Sequence, residues 1–516
     1  MSLTKVTNSM IRSAPVNVLD YMTAAQITAV GAYTFASDVT AACQAALDYA
    51  RANNLDCYFP AGGYLVTGLI IPGTVSGGVD DRDSAIRIYG QGMGEPFVLT
   101  NTGGTVIKSV TNAPVLRDIL GTALSSNGTV EIDHLRLDGT SATAVLRLDS
   151  FYGLSSVHNC SVYQRGVGSG VQITWGATFL IEMVYSMNSD LFDYAKGAAR
   201  TGVGFDMPLV GDNGLQTFYK CTSRGWLVGY QIGSGAGVPY SAKIEQCECS
   251  VVYSGINISN ARKTIIDSNY FEGGDQGTAI YVEGPYNVIS NNFIFPGFSY
   301  FIDDRDADNV GTTITGNLIA LGSVVNAVGI GLGSTYGKSV TGNTFVRTAG
   351  IAGQIGISAD TGDSKLLIAG NAFDPVSTWT GAGSSKISYT ATTKPSGLVI
   401  QQDTVTDFSA LLDGALSLHK NALELTQANV AANVLTVPDG SYFVVTASAP
   451  VTVNALSTGK NSGRLITFRT TNANMTFADT ASIFSSGAFT GPGTITFIVE
   501  EVSGTNYAYE IARTVF

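Results

Sequence analysis

The chain has 516 residues, 45% of them hydrophobic and 13% charged, which excludes a disordered chain and demands a large buried core. A net charge of −12 offers no basic face to a nucleic acid, and no apolar run reaches the roughly 20 residues of a membrane span. With 60 glycines and no long amphipathic helical pattern after residue 54, many short strands joined by tight turns are expected.

Residues 1–30 read as an N-terminal segment of its own ahead of the first helical pattern. Its start, MSLTKVTNSM, lacks the apolar core of a signal peptide. A capping helix is expected within 31–54, because Val39, Ala42, Cys43, Ala46, Leu47 and Ala50 recur at helical spacing, with Ser37 as N-cap. Asp56 to Tyr64 then reads as a strand, a turn and a strand. Ile86 to Gly92 starts regular turns, and its glycines lack the strand-then-helix context of a dinucleotide site.

From about residue 130 a short phrase repeats: an aliphatic residue, two others, a ladder residue, one more, then an aliphatic or aromatic residue. It is seen at Ile266/Asn269/Phe271, Val288/Asn291/Phe293, Ile314/Asn317/Ile319, Val340/Asn343/Phe345 and Ile368/Asn371/Phe373. Earlier copies put Leu135, Cys160, Cys221 and Cys247 at the ladder position, with a weaker match centred on Met183. The steps from Leu135 are 25, 23, 38, 26, 22, 22, 26, 26 and 28 residues. One such period makes a coil of three short strands, and coils stacked about 4.8 Å apart pair their backbones with the coil above and below. The residues at −3 and +2 would point inward. The ladder amides would bond up and down the stack, and Asn tolerates the left-handed conformation of a sharp bend. A right-handed parallel β-helix over residues 55–376, in ten to twelve coils, is therefore expected.

The 38-residue step holds an excursion, Asn188 to Asn213, bearing Asp190, Asp193, Lys196, Arg200, Asp206 and Asp212. Long excursions from a solenoid line one face and usually carry binding. The six cysteines (Cys43, Cys57, Cys160, Cys221, Cys247, Cys249) have no paired CxxC spacing, so they read as buried thilols of a chain made in a reducing compartment, with no metal or other cofactor expected. Residues 377–425 read as a linker. Strand alternation restarts at Tyr442, Arg464, Thr494 and Tyr507, so residues 426–516 are expected to form a β-sandwich-like domain for trimerisation or carbohydrate binding.

Met10-Ile-Arg-Ser-Ala-Pro15-Val-Asn-Val-Leu-Asp20-Tyr resembles the N-terminal segment of tailed-phage tail fibres and tailspikes. The lid helix followed by Tyr58-Phe-Pro60-Ala-Gly-Gly-Tyr64 is similar to the opening of pectate-lyase-like β-helix proteins. With the Asn ladder, the resemblance covers most of residues 10–375. It implies a homotrimer made in the host cytoplasm and carried on the virion, with residues 1–30 as the segment that attaches it to other phage tail proteins, and active on capsule or lipopolysaccharide. Catalytic positions in this group are not held at a shared motif, so no residue is carried over.

Glycoside hydrolysis needs two carboxylates, roughly 5–5.5 Å apart for retention and 6.5–9.5 Å for inversion. Outward positions −2, +1 and +3 from the ladder concentrate Glu245, Asp267, Glu248, Glu272, Arg224 and Lys220 on three coils. Glu245, Asp267 and Glu272 are the expected catalytic carboxylates, one pushed up by its like-charged neighbour. Lys220, Arg224, Trp226, Glu248 and Tyr253 are the expected substrate contacts, with Trp226 stacking on a sugar ring. Stacked −2 residues would favour the retaining separation. A second acidic group, Asp303, Asp304, Asp306 and Asp308, reads as a charged turn, as do Asp360 and Asp363. His134 and His158 are expected to be hydrogen-bonded near adjacent bends. The expected function is a tailspike depolymerase; a uronate lyase, a non-catalytic receptor-binding fibre and a purely structural virion protein are the alternatives.

Overall fold

The computed structural model describes residues 14–515 except 73–84, 98–102, 119–127, 150, 175, 191, 209–215, 234–240, 260, 274–275, 306–309, 334–336, 360–365, 375–378, 380–381, 383, 390–398, 402–422, 438–441, 458–463 and 503–504. Met10 to Ser13, Asp212, Asp306, Asp308, Asp360 and Asp363 lie outside the described residues. Two compact units are present, Met1–Thr406 and Asp407–Phe516.

Three long parallel sheets build the first unit, with 14, 12 and 12 strands. The chain visits them in rotation, so each coil gives one strand to each sheet. This is the expected parallel β-helix. Its interior is a set of aliphatic stacks. Ile244, Ile266, Ile289, Ile314, Val340 and Ile368 follow one another at −3 and are all buried. Each such side chain removed from water contributes about 1.5–3 kcal/mol, which offsets part of the entropy of ordering its coil.

From His134 onward, the described bends between the first and second sheets follow one rule. The residue just before the ladder position has positive φ: His134, Asn159, Met183, Lys220, Gln246, Ser268 and Asn291 in the earlier coils, then Gly316, Gly342 and Gly370. The ladder residue itself sits inside. Asn269, Asn292, Asn317, Asn343 and Asn371 form the amide ladder, each donating from Nδ2 to the next Oδ1 at 2.9–3.0 Å. Two sequence expectations are corrected here. Asn291 is the exposed left-handed residue and Asn292 is the ladder residue. Likewise Met183 is the left-handed residue, and buried Val184 takes the ladder place. The left-handed bend is thus made by the residue ahead of the ladder, while the ladder amide supplies hydrogen bonds.

Two helices lie ahead of the coils. The first, α1 (Ala24–Gly31), was not expected. It is held by a capping box in which Thr23 Oγ1 accepts from Gln26 N and Gln26 Oε1 accepts from Thr23 N. The second, α2 (Thr40–Ala52), is the expected lid and buries Cys43, Ala46, Leu47 and Ala50. It starts three residues after Ser37; Asp38 Oδ1 accepts from Thr40 N at 2.8 Å instead. Val16–Asn17 pairs with Cys57–Tyr58 and so begins the first sheet inside the segment read as attachment. At the other end, Ser385–Tyr389 and Val399–Gln401 extend the third and first sheets. The stretch read as a linker therefore continues the solenoid. All six cysteines are buried free thiols.

The second unit is made of mixed sheets. Its six-stranded sheet joins parallel pairs, such as Leu423–Thr426 on Tyr442–Thr446, to the antiparallel pair Gly493–Val502 and Thr505–Val515. Leu425, Phe443, Phe468, Phe477, Ile495 and Phe497 form its core.

Candidate functional site

The outward column of the first sheet, two residues before the ladder, runs Asp133, His158, Glu182, Tyr219, Glu245, Asp267, Ser290, Thr315, Thr341 and Ala369. Glu245 and Asp267 are stacked neighbours, as expected. Lys243 Nζ lies 2.9 Å from Glu245. Burial acts to raise the Asp267 carboxyl, but donors from Ser290 (2.5 Å), Asn291 (2.9 Å) and Ser268 (2.9 Å), with Lys243 nearby, hold it below the usual carboxylate value. Asp267 therefore stays ionised. It is not an acid raised by its neighbour.

Around the bend, on the second sheet, Glu248 lies beside Tyr270 and Ser250 beside Glu272, with Arg224 paired to Ser250 on the preceding coil. A cleft of about 430 Å³ opens here, lined by Gln246, Cys247, Glu248, Ser268, Tyr270 and Glu272. Ser250 Oγ donates to Glu248 Oε1 at 2.6 Å and fixes that carboxylate. The Tyr270 phenol is pushed up by burial first, then by Glu272, Glu248 and Tyr194, with Arg224 opposing.

Aromatic faces flank this cleft. Tyr270 packs 5.2 Å from Phe295, and Tyr270, Phe293 and Phe295 are 39%, 52% and 41% exposed. Arg224 lies over Phe97 and Phe192 at 5.8 and 5.4 Å and donates to the Tyr194 hydroxyl at 3.3 Å. Phe192 and Tyr194 come from the long excursion. That excursion is pinned by buried Arg200, which donates to the carbonyls of Asp190 and Asp193, and by Lys196 at 2.5 Å from Asp190.

Trp226 is corrected. Its side chain is fully buried, with Nε1 donating to Ser186 O at 2.9 Å, so it offers no ring face. Gly170, Gly202 and Gly204 make room for the indole; a Cβ on any of them would meet it at 3.0–3.1 Å. Lys220 is a bend residue whose ammonium lies 4.8 Å from the Tyr219 ring, on the first-sheet side. Tyr253 sits past the second-sheet strand at the turn into Ser254–Ile258 and is not among the lining residues. Asp303 is paired with Arg305 at 2.7 Å, and Asp304 is buried 3.2 Å from Lys338; both end a strand, Phe298–Asp304, not a turn.

The aromatics missed by sequence reasoning sit one register step away. Reading Asn291 as the ladder residue turned Phe293 inward, and a one-residue slip moves a side chain to the other face. The +1 column in its observed register reads Glu248, Tyr270, Phe293. Among the described residues, the one group of three His, Cys, Asp or Glu side chains close enough to share a cation lies elsewhere, at Glu131, Asp133 and His158.

A family model described as periplasmic copper-binding protein (NosD) matches residues 234–407. No curated protein matches the chain. Similar solved structures include a DFA-IIIase mutant from Arthrobacter chlorophenolicus A6, 12% identical over 73% of this chain and 98% of that one, with a TM-score of 0.46. The A-module of an Azotobacter vinelandii mannuronan C-5 epimerase is 16% identical over 74% and 99% of the two chains, also with a TM-score of 0.46. Tailspike protein 3 of bacteriophage CBA120 is 12% identical over 96% of this chain and 68% of that one, with a TM-score of 0.46.

Proposed function

We propose that the chain is a tailspike depolymerase that binds a bacterial surface polysaccharide along the second sheet and cleaves it by glycoside hydrolysis. The observation that carries this reading is the cleft where Glu248 and Glu272 flank Tyr270 beside the exposed faces of Phe293 and Phe295. Aromatic faces suit the apolar faces of sugar rings, and a carboxylate pair suits acid–base cleavage of the bond between them.

Glu248, fixed by Ser250, takes the role of base, and Glu272 that of proton donor. They are offset by one strand and two residues, about 8 Å along the backbone. Carboxyl groups held at a comparable separation would leave room for a water and favour inversion. It replaces retention by the stacked pair Glu245 and Asp267, since Asp267 is held ionised by its donors and Glu245 is paired with Lys243, which leaves neither as the proton donor. A β-elimination reading needs a base beside Arg224, and a Tyr270 phenol pushed up is poorly suited to that task.

Three copies assemble in this reading, and the N-terminal segment engages other tail proteins. The lower first-sheet face supports assembly: Val288, Ser290, Thr313, Thr315, Ser339, Thr341, Leu367 and Ala369 pair in register without a charge.

The test is to incubate the full chain with host capsule or lipopolysaccharide and size the polymer. Glu248→Gln and Glu272→Gln, made singly, should each slow cleavage on the order of 10²–10⁴-fold while binding persists. Saturable binding with no shortening would leave a receptor-binding fibre. Absorbance from unsaturated uronate ends would make the enzyme a lyase. Near wild-type rates in both variants, with loss in Glu245→Gln or Asp267→Asn, would return the chemistry to the first sheet.

A further inference from the structure

Three consecutive coils near the lid bring a second constellation together on the first sheet. Arg87 is in register with Glu131, and Asp133 with His158. His158 Nε2 lies 3.3 Å from Glu131 Oε1, and its Nδ1 lies 3.5 Å from Asp133 Oδ1. Arg87 reaches both carboxylates at 2.9 Å. Asn159 Nδ2 donates to Asp133 Oδ1 at 3.3 Å, and His134 Nδ1 adjoins the same oxygen. Asp133 is almost fully buried, while Glu131 and Arg87 open onto a cleft of about 500 Å³ lined also by Asn54, Asp56, Leu154 and Ser156.

Both nitrogens of His158 face carboxylates. A neutral imidazole has one N–H and one lone pair, so it satisfies one carboxylate and confronts the other. The contacts are also longer than the roughly 2.7–2.9 Å of a charge-assisted hydrogen bond. Donor atoms bound to one cation at about 2.0–2.2 Å and tetrahedral angles lie roughly 3.3–3.6 Å apart. The Nε2-to-Glu131 spacing falls in that interval, and the ligand atoms of Glu131, Asp133 and His158 all lie within 4.8 Å of one another.

We propose that Glu131, Asp133 and His158 form a site for a divalent first-row transition cation such as Zn²⁺, reached from the adjoining cleft. His158 Nε2 and the two carboxylates are the ligands. Arg87 lies 2.9 Å from both carboxylates, so a bound cation takes its place between them. An imidazole with two carboxylates favours Zn²⁺ over Mg²⁺, which prefers oxygen and water. The site lies outside residues 234–407 and apart from the polysaccharide cleft, so it stands independently of the proposed function.

Calorimetric titration of the full chain with Zn²⁺ at about pH 7.5 tests it. One saturable site per chain is expected. Glu131→Gln and His158→Ala should each weaken binding at least tenfold to a hundredfold, a scale on which even outer-shell partners of a metal act. Arg87→Ala, which removes a competing cation and no ligand, should bind at least as tightly as the wild type. Glu131 is 40% exposed, so Glu131→Gln keeps the test valid if His158→Ala fails to fold. No saturable Zn²⁺ binding, unchanged affinity in Glu131→Gln, or equal affinity for Mg²⁺ would each overturn the proposal.

Discussion

Replacing Asn317 by Ala removes the middle rung of the amide ladder. Its Oδ1 accepts from Asn292 N at 3.0 Å and Asn292 Nδ2 at 2.9 Å, and its Nδ2 donates to Ile289 O at 3.0 Å and Asn343 Oδ1 at 2.9 Å. Asn292 Nδ2 keeps Ile266 O, and Asn343 Oδ1 keeps the Asn317 N–H. The amide of Asn292 and the carbonyl of Ile289 each lose a partner where no water reaches. At about 1–3 kcal/mol for each of these two buried groups, the cost should be roughly 2–6 kcal/mol. The earlier coils contain a control. There Cys221 Sγ donates to Ile181 O at 3.2 Å and Cys247 Sγ accepts from Cys221 N at 3.4 Å. A thiol is thus a weaker rung, and Asn317→Cys should cost only about 1–2 kcal/mol. Because coils contact only their neighbours, the loss is best read locally, by hydrogen exchange at the Asn292 amide alongside guanidinium unfolding. Should Asn317→Ala fall within about 0.5 kcal/mol of wild type, or match Asn317→Cys, the account of the ladder is wrong.

The bends yield a second prediction: Gly342 has φ 65° and a Cβ there would meet nothing nearer than 3.9 Å, so Gly342→Ala should cost only the left-handed penalty, about 1–2 kcal/mol by thermal unfolding. Met183→Gly, at φ 51°, should be neutral or stabilising, and a clear loss there would contradict the same reasoning. For assembly, light scattering of the wild type should give three times 53.8 kDa, and Thr315→Arg with Thr341→Arg should reduce it to one; a wild-type monomer at micromolar concentration refutes the trimer. Burial pushes the Asp206 carboxyl above its ordinary 3.8 against donors from Gln172 and Ser169. Its protonated form is favoured by folding, so its contribution is full below the ordinary value and is lost as pH rises through the raised one. Asp206→Asn should therefore lose less stability than wild type as pH rises from below 3.8, and parallel stability curves would exclude this role.

The architecture was legible because its repeat is physical: an inward apolar residue recurs at −3 in each coil from Ile132 to Ile368 and at +2 in most of them, with buried Ser186 and Ser223 as exceptions. Register was legible where one residue dominates the ladder place, as at Asn269, Asn317 and Asn343. It failed where two candidates stood side by side. Asn291 and Asn292 both suit a bend by composition, and only the backbone distinguishes a left-handed residue from the buried rung after it. That slip hid Phe293, and with it the aromatic face of the cleft. Trp226 failed for another reason: nothing local says that Gly170, Gly202 and Gly204, on other coils, leave a cavity for an indole. The helix α1 was readable from Thr23 and Gln26, a capping pair at the right spacing.

The amide ladder and the glycine bends occupy the same later coils, and together they make length an adjustable quantity. Along the ladder from Asn269 to Asn371, at steps of 23, 25, 26 and 28 residues, Asn292, Asn317 and Asn343 each meet an identical partner above and below. A coil inserted or excised between two such rungs leaves every remaining amide facing another amide, every aliphatic facing another aliphatic. The reach of the molecule can thus change by one strand spacing at a time, about 4.8 Å, without a new interior having to be found.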